Sequence, residues 1–82
     1  MFLDVCILSS QEAIFEGKVR SLILPGEQGV FEVLPFHKRI LSRLISGKLL
    51  IDNKSFLINR GIVKVNQNKV TIIVEPKNRD RK

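Results

Sequence analysis

Eighty-two residues provide for one small domain and leave no room for a second core. A chain of this size buries roughly 60 to 65% of its unfolded surface, so a permanent partner would add usefully to its stability. The 44% hydrophobic content excludes a disordered chain, and no apolar run reaches the roughly 18 residues of a membrane-crossing helix.

The start, Met1-Phe2-Leu3-Asp4, lacks the basic stretch and the small-residue cleavage site of an export signal, and Cys6 is the sole cysteine. Both features predict a cytosolic protein without a disulfide framework or a cysteine metal site. The net charge of +6 suggests an anionic partner at first sight. Half of it, however, comes from Lys77, Arg79, Arg81 and Lys82, opposed there by Asp80 alone. The body carries an ordinary charge for a soluble domain.

In chain order, short β-rich runs alternate with turn residues. Phe2 to Leu8 is an apolar strand ended by the polar cluster Ser9-Ser10-Gln11-Glu12. Ala13 to Glu16 follows and stops at Gly17; Val19 to Leu24 stops at Pro25-Gly26, where proline cannot donate to a continuing ladder. The tight loop Gly26-Glu27-Gln28-Gly29 leads into Val30 to Leu34, which Pro35 and the basic stretch His37-Lys38-Arg39 interrupt. Ile40 to Ile45 follows as an extended run; Lys38 to Ile45 also fits a helical stripe, at Ile40, Leu41, Leu44 and Ile45, but it is too short for a helix.

After Ser46-Gly47 come Lys48 to Ile51, a hairpin turn at Asp52-Asn53-Lys54, and Ser55 to Ile58. Asn59-Arg60-Gly61 precedes Ile62 to Val65; Asn66-Gln67-Asn68 turns the chain into Val70 to Val74, and Glu75-Pro76 ends the fold. The pattern predicts an all-β domain over residues 1–76, a flattened sandwich or barrel of about nine short strands. Residues 77–82 read as a basic, disordered tail.

Particular residues add a resemblance. Ile14-Phe15-Glu16-Gly17-Lys18-Val19 is similar to an apolar-Phe-x-Gly-x-Val element, Leu24-Pro25-Gly26-Glu27-Gln28-Gly29 to an LPGxxG loop, and Val33-Leu34-Pro35-Phe36-His37 to a V-L-P-G-H run. Ser46-Gly47-Lys48-Leu49, Arg60-Gly61-Ile62-Val63-Lys64-Val65 and Asn68 to Glu75 follow in order. Together these resemble the N-terminal β-sandwich of the ATP synthase epsilon subunit, called delta in mitochondria, across most of the chain.

The resemblance implies a ten-stranded sandwich that serves as a non-catalytic rotor subunit. It implies binding to the gamma subunit and the c-ring of an F-type, proton- or sodium-translocating ATP synthase, with no cofactor, no small-molecule substrate and no nucleic acid. It implies a peripheral position on the cytoplasmic face of a bacterial inner membrane. It assigns the c-ring contact to Gly26, Glu27, Gln28, Gly29 and Val30 and to Phe36, His37, Lys38 and Arg39.

The sequence departs from the pattern at this edge. Glu32 and Phe36 stand where the family has glycines, so a positive φ at either would cost roughly 1 to 2 kcal/mol. Val30 replaces an acidic residue, and Lys38-Arg39 replace Ala-Pro. The C-terminal helical hairpin of the family does not follow Glu75 within this sequence, which predicts coupling without inhibition of hydrolysis.

Other readings of these residues are plainer. His37 has no second ligand or orienting acid beside it in sequence and reads as a loop hydrogen-bonder, and Cys6, in an apolar strand, as a buried, inert thiol. Gly26 to Gly29 lacks the following Lys-Ser/Thr of a phosphate loop. The alternative to a rotor subunit is a small basic β-barrel that binds nucleic acid, with Phe36 stacking a base beside Lys38 and Arg39.

Overall fold

Alternation along the strands sets one face inward. In the last strand Val70, Ile72 and Val74 are buried while Thr71, Ile73 and Glu75 face out, the two-residue period of a half-buried strand. The computed structural model describes residues 1–36 and 38–77. Its strands are β1 (Leu3–Leu8), β2 (Ala13–Val19), β3 (Leu22–Gly26), β4 (Gly29–Val33), β5 (Ile40–Leu44), β6 (Gly47–Ile51), β7 (Lys54–Asn66) and β8 (Lys69–Pro76). No helix of the described residues is long and apolar enough to cross a membrane.

The strands form one continuous ribbon in the order β2-β1-β8-β7-β5-β3-β4, with β6 prolonging β5 between β3 and β7. All neighbours are antiparallel except β1 and β8, which run parallel from Asp4 opposite Lys69 to Leu8 opposite Ile73. The ribbon folds over so that the inward side chains of every strand meet in a single core, a β-sandwich. Leu3, Leu22, Leu24, Leu49, Val63, Val65 and Ile72 have no measurable exposure, and no polar or charged side chain among the described residues is buried with them.

Among the described residues eight strands stand where the sequence pattern suggests about nine and the resemblance about ten. The runs Ser55 to Ile58 and Ile62 to Val65 are one strand, β7, carried through Asn59 by a bulge: Ile58 lies opposite Pro76 and Arg60 opposite Glu75. The extra residue inverts the alternation, so that Phe56 and Ile58 before it and Val63 and Val65 after it all turn inward. One long strand thereby serves β6 with its first half and β5 with its second.

The expected run Val19 to Leu24 is instead divided. Val19 closes β2, which passes through Gly17, and Leu22 opens β3. The Asp52 carboxylate accepts the N–H groups of Arg20 and Ser21, at 3.0 and 3.1 Å, and so fixes the link between the two strands. Pro25-Gly26 does not end β3. Pro25 pairs with Val30, and its carbonyl accepts the Ile45 N–H at 2.8 Å, so the strand tolerates the missing donor. Ile40 to Leu44 is a strand with Ile40 and Leu44 directed toward the core.

Cys6 is half-buried, not fully buried as expected, because β1 turns it toward Glu16 of β2. The thiol donates to the Glu16 carboxylate at 3.8 Å. Desolvation first, and the Glu16 charge and hydrogen bond second, push its pKa up, which keeps it protonated and unreactive near neutral pH.

Candidate protein-docking surfaces

Hairpin β3–β4 turns through Glu27-Gln28, and both flanking glycines are required there. Gly29 has φ 125, a conformation that side chains disfavour. A Cβ on Gly26 would lie 2.7 Å from the Phe31 ring and 2.9 Å from the Gly29 carbonyl oxygen. The Glu27 N–H donates to the Arg43 carbonyl at 3.3 Å, which ties the tip to β5. Gly26 to Val30 then line a recess of about 520 Å³ with Phe31, Ile40, Leu41 and Ser42, and Val30 and Leu41 leave about three quarters of their surface exposed.

The remaining predicted residues sit elsewhere. Phe36 lies past the other end of β4, whose length separates the two turns by roughly 13 Å along the strand. Its N–H donates to the Asn68 side-chain oxygen at 2.6 Å, at the turn between β7 and β8, and it does not line the recess. Lys38 and Arg39 are exposed and lead into β5; His37 lies outside the described residues, as does the tail from residue 78 onward. The two loops that the resemblance assigns to the c-ring contact thus lie at opposite ends of β4, Gly26 to Val30 at the recess and Phe36 beside the β7–β8 turn.

Of the two replaced glycines, only Phe36 carries strain. Its φ is 67, whereas Glu32 is an ordinary β4 residue opposite Ile23. Phe36→Gly is expected to stabilise the fold by about 0.5 kcal/mol, the relief of left-handed strain outweighing the added freedom of the unfolded chain. Thermal unfolding should show a midpoint about 2 to 4 °C higher.

A third surface is not singled out by the sequence motifs. Ile62 and Ile73 are direct cross-strand partners on the outer face and remain 48% and 54% exposed. Leu8 neighbours Ile73, and Arg43 neighbours Ile62. A shallow groove of about 870 Å³ runs over Leu44, Gly61, Ile62, Ile73, Val74 and Pro76, beside the Arg60–Glu75 ion pair at 2.9 Å. The signal was present in the chain: Ile72-Ile73-Val74 is apolar at successive positions, and a strand covered on one face alone would be polar at the middle one.

Comparison with known proteins places the fold in a family. A sequence model of the family described as ATP synthase, Delta/Epsilon chain, beta-sandwich domain matches residues 2–79. The ATP synthase epsilon chain of a Nitratiruptor species is 40% identical over 74 residues, 84% of this chain and 57% of the relative. That of Protochlamydia amoebophila is 38% identical over 80 residues, 92% of this chain and 54% of the relative. The chain thus spans little more than half the length of these relatives.

The fold agrees with a chain of the Euglena gracilis mitochondrial ATP synthase, from the structure of its OSCP/F1/c-ring portion. The TM-score is 0.82 at 20% identity, over 89% of this chain and 50% of that one. A chain of the Tetrahymena thermophila mitochondrial ATP synthase, from its central stalk and c-ring, matches with a TM-score of 0.76 at 18% identity, over 89% and 63%. With its core, its strand order and its LPGxxG hairpin accounted for, the chain belongs to the family of ATP synthase delta/epsilon β-sandwich domains.

Proposed function

We propose that this chain is a non-catalytic rotor component of an F-type ATP synthase that holds the gamma subunit through the outer face of β7 and β8 and meets the c-ring through its turns. The observation that carries the reading is the outward Ile62–Ile73 pair. Two adjacent β-branched side chains, half exposed on a rigid sheet beside an ion pair, form the apolar centre and polar rim of a protein interface. Gly26 to Val30 offer the c-ring a shaped recess with one carboxylate, Glu27, and exposed Phe36, Lys38 and Arg39 offer it a separate basic contact. Such a subunit is peripheral to the membrane on the cytoplasmic face, carried there by the complex.

Co-expression with gamma tests the assignment. The wild-type chain is expected to co-purify through about 0.5 M salt, because apolar burial resists screening. Ile62→Asp with Ile73→Asp should weaken the complex at least about a hundredfold, since each buries a charge at the interface centre. A double variant that stays folded by circular dichroism yet still co-purifies would remove gamma from this face.

A further inference from the structure

The end of the sandwich around Asn68 gathers features that neither the core nor the outer groove uses. Asn68 accepts the Asp4 N–H through its carbonyl at 2.8 Å and the Phe36 N–H through its side chain, so it joins the start of β1, the β7–β8 turn and the loop after β4. Met1 and Phe2 precede β1 at this end, and Arg20 lies 5.7 Å over the Phe2 ring, brought there by the pairing of Leu3 with Val19. Lys69 follows Asn68 directly and sits opposite Asp4 across the parallel pair, while Lys38 and Arg39 lead into Ile40, the partner of Val65.

Apolar side chains stand exposed here. Met1 is 77% and Phe36 69% exposed, and Phe2 is half exposed. The backbone maintains Phe36 at a strained φ and holds its ring outside the core. Arg20 lies against one of these tips, and exposed Lys38, Arg39 and Lys69 belong to the segments that meet at this end. Of the acidic residues at this end, Asp4 pairs with Lys18 at 3.5 Å, while Asp52, which accepts two backbone N–H groups, and exposed Glu32 are outnumbered by Arg20, Lys38, Arg39 and Lys69.

Exposed apolar tips beside basic side chains fit a bilayer interface, where the tips enter the acyl boundary and the cations meet lipid phosphates. A protein partner would favour a concave or flat apolar centre, which this end lacks and the Ile62–Ile73 face supplies.

We propose that the rim formed by Met1, Phe2, Arg20, Phe36, Arg39 and Lys69 is a contact for an anionic lipid surface. The inference rests on the rotor reading only in that it places the chain near a membrane. It shares Phe36 and Arg39 with the c-ring contact proposed above, but vesicle binding by the chain alone requires no other subunit, so its failure is distinguishable from a failure of gamma binding.

Vesicle co-sedimentation of the whole chain tests it, with roughly 70:30 phosphatidylcholine:phosphatidylglycerol set against pure phosphatidylcholine. Binding is expected to the anionic vesicles alone and to fall steeply between about 50 and 500 mM salt. Each of Arg39→Gln and Lys69→Gln should weaken it about fivefold. Phe2→Ser with Phe36→Gly should weaken it more than about tenfold without loss of fold, since the glycine relieves strain.

Replacing Arg79, Arg81 and Lys82 by Gln should leave most of the binding in place. Binding that vanishes with that replacement and survives the rim changes would overturn the proposal. So would equal binding to neutral vesicles, or displacement of the chain from anionic vesicles by a stoichiometric single-stranded oligonucleotide.

Discussion

Gly61→Ala should cost the domain about 3 kcal/mol or more, one of the largest effects available from a single methyl group. A Cβ there would stand 2.6 Å from the Ile73 carbonyl oxygen and 3.1 Å from a Val74 methyl. The carbonyl belongs to the backbone of β8 and cannot rotate aside, so β7 and β8 would have to separate where Gly61 pairs with Val74 on one side and Leu44 on the other. Overpacking at a well-packed site typically costs about 1 to 3 kcal/mol, and a backbone obstacle puts this substitution at or above the top of that range. For a domain of this size each kcal/mol corresponds to about 4 to 8 °C in thermal midpoint. Urea denaturation should show a lower midpoint of unfolding or a chain already partly unfolded in buffer; an unchanged midpoint would mean that the strands can part without cost.

Ile72 and Ile73 supply the second large effect, because neighbours of the same chemistry should behave in opposite ways. Ile72 is wholly buried, so Ile72→Ala removes transfer energy and leaves a cavity, at a cost of about 2 to 5 kcal/mol. This is a large fraction of the roughly 5 to 15 kcal/mol that typically holds a domain together. Ile73→Thr, on the outer face, should change stability by no more than about 0.5 kcal/mol, threonine being well suited to a strand, and should instead weaken gamma binding. Denaturant titration and pull-down on the two variants separate the roles. Equal destabilisation would show that the outer isoleucine packs intramolecularly.

The fold class and most turns were legible from local chemistry. The glycines of Gly26-Glu27-Gln28-Gly29, the left-handed tolerance of Asp52 and Asn68, and the β-branched run at Val70 to Val74 each state their conformation within a few residues. Features set by distant partners were not. The Asp52 carboxylate holds Arg20 and Ser21, which lie 32 and 31 residues earlier, and Pro25 continues its strand because Ile45 is there to donate. The bulge at Asn59 leaves no motif; it is fixed by the need to turn both halves of β7 inward. For the same reason the sequence could name the residues of the two loops but not their arrangement, since a linear reading cannot tell that β4 sends its two turns in opposite directions.

The parallel pairing of β1 with β8 has a consequence for how the domain is made. Among the described residues the first strand and the last lie side by side, and β8 is the one strand that pairs the β1–β2 hairpin with the rest of the ribbon. During synthesis that hairpin must wait, with Leu3, Val5 and Ile7 uncovered, until residues near Val74 emerge. Closure is therefore non-local and late, which predicts folding in milliseconds to seconds and a nascent chain that depends on protection of its free strand edge.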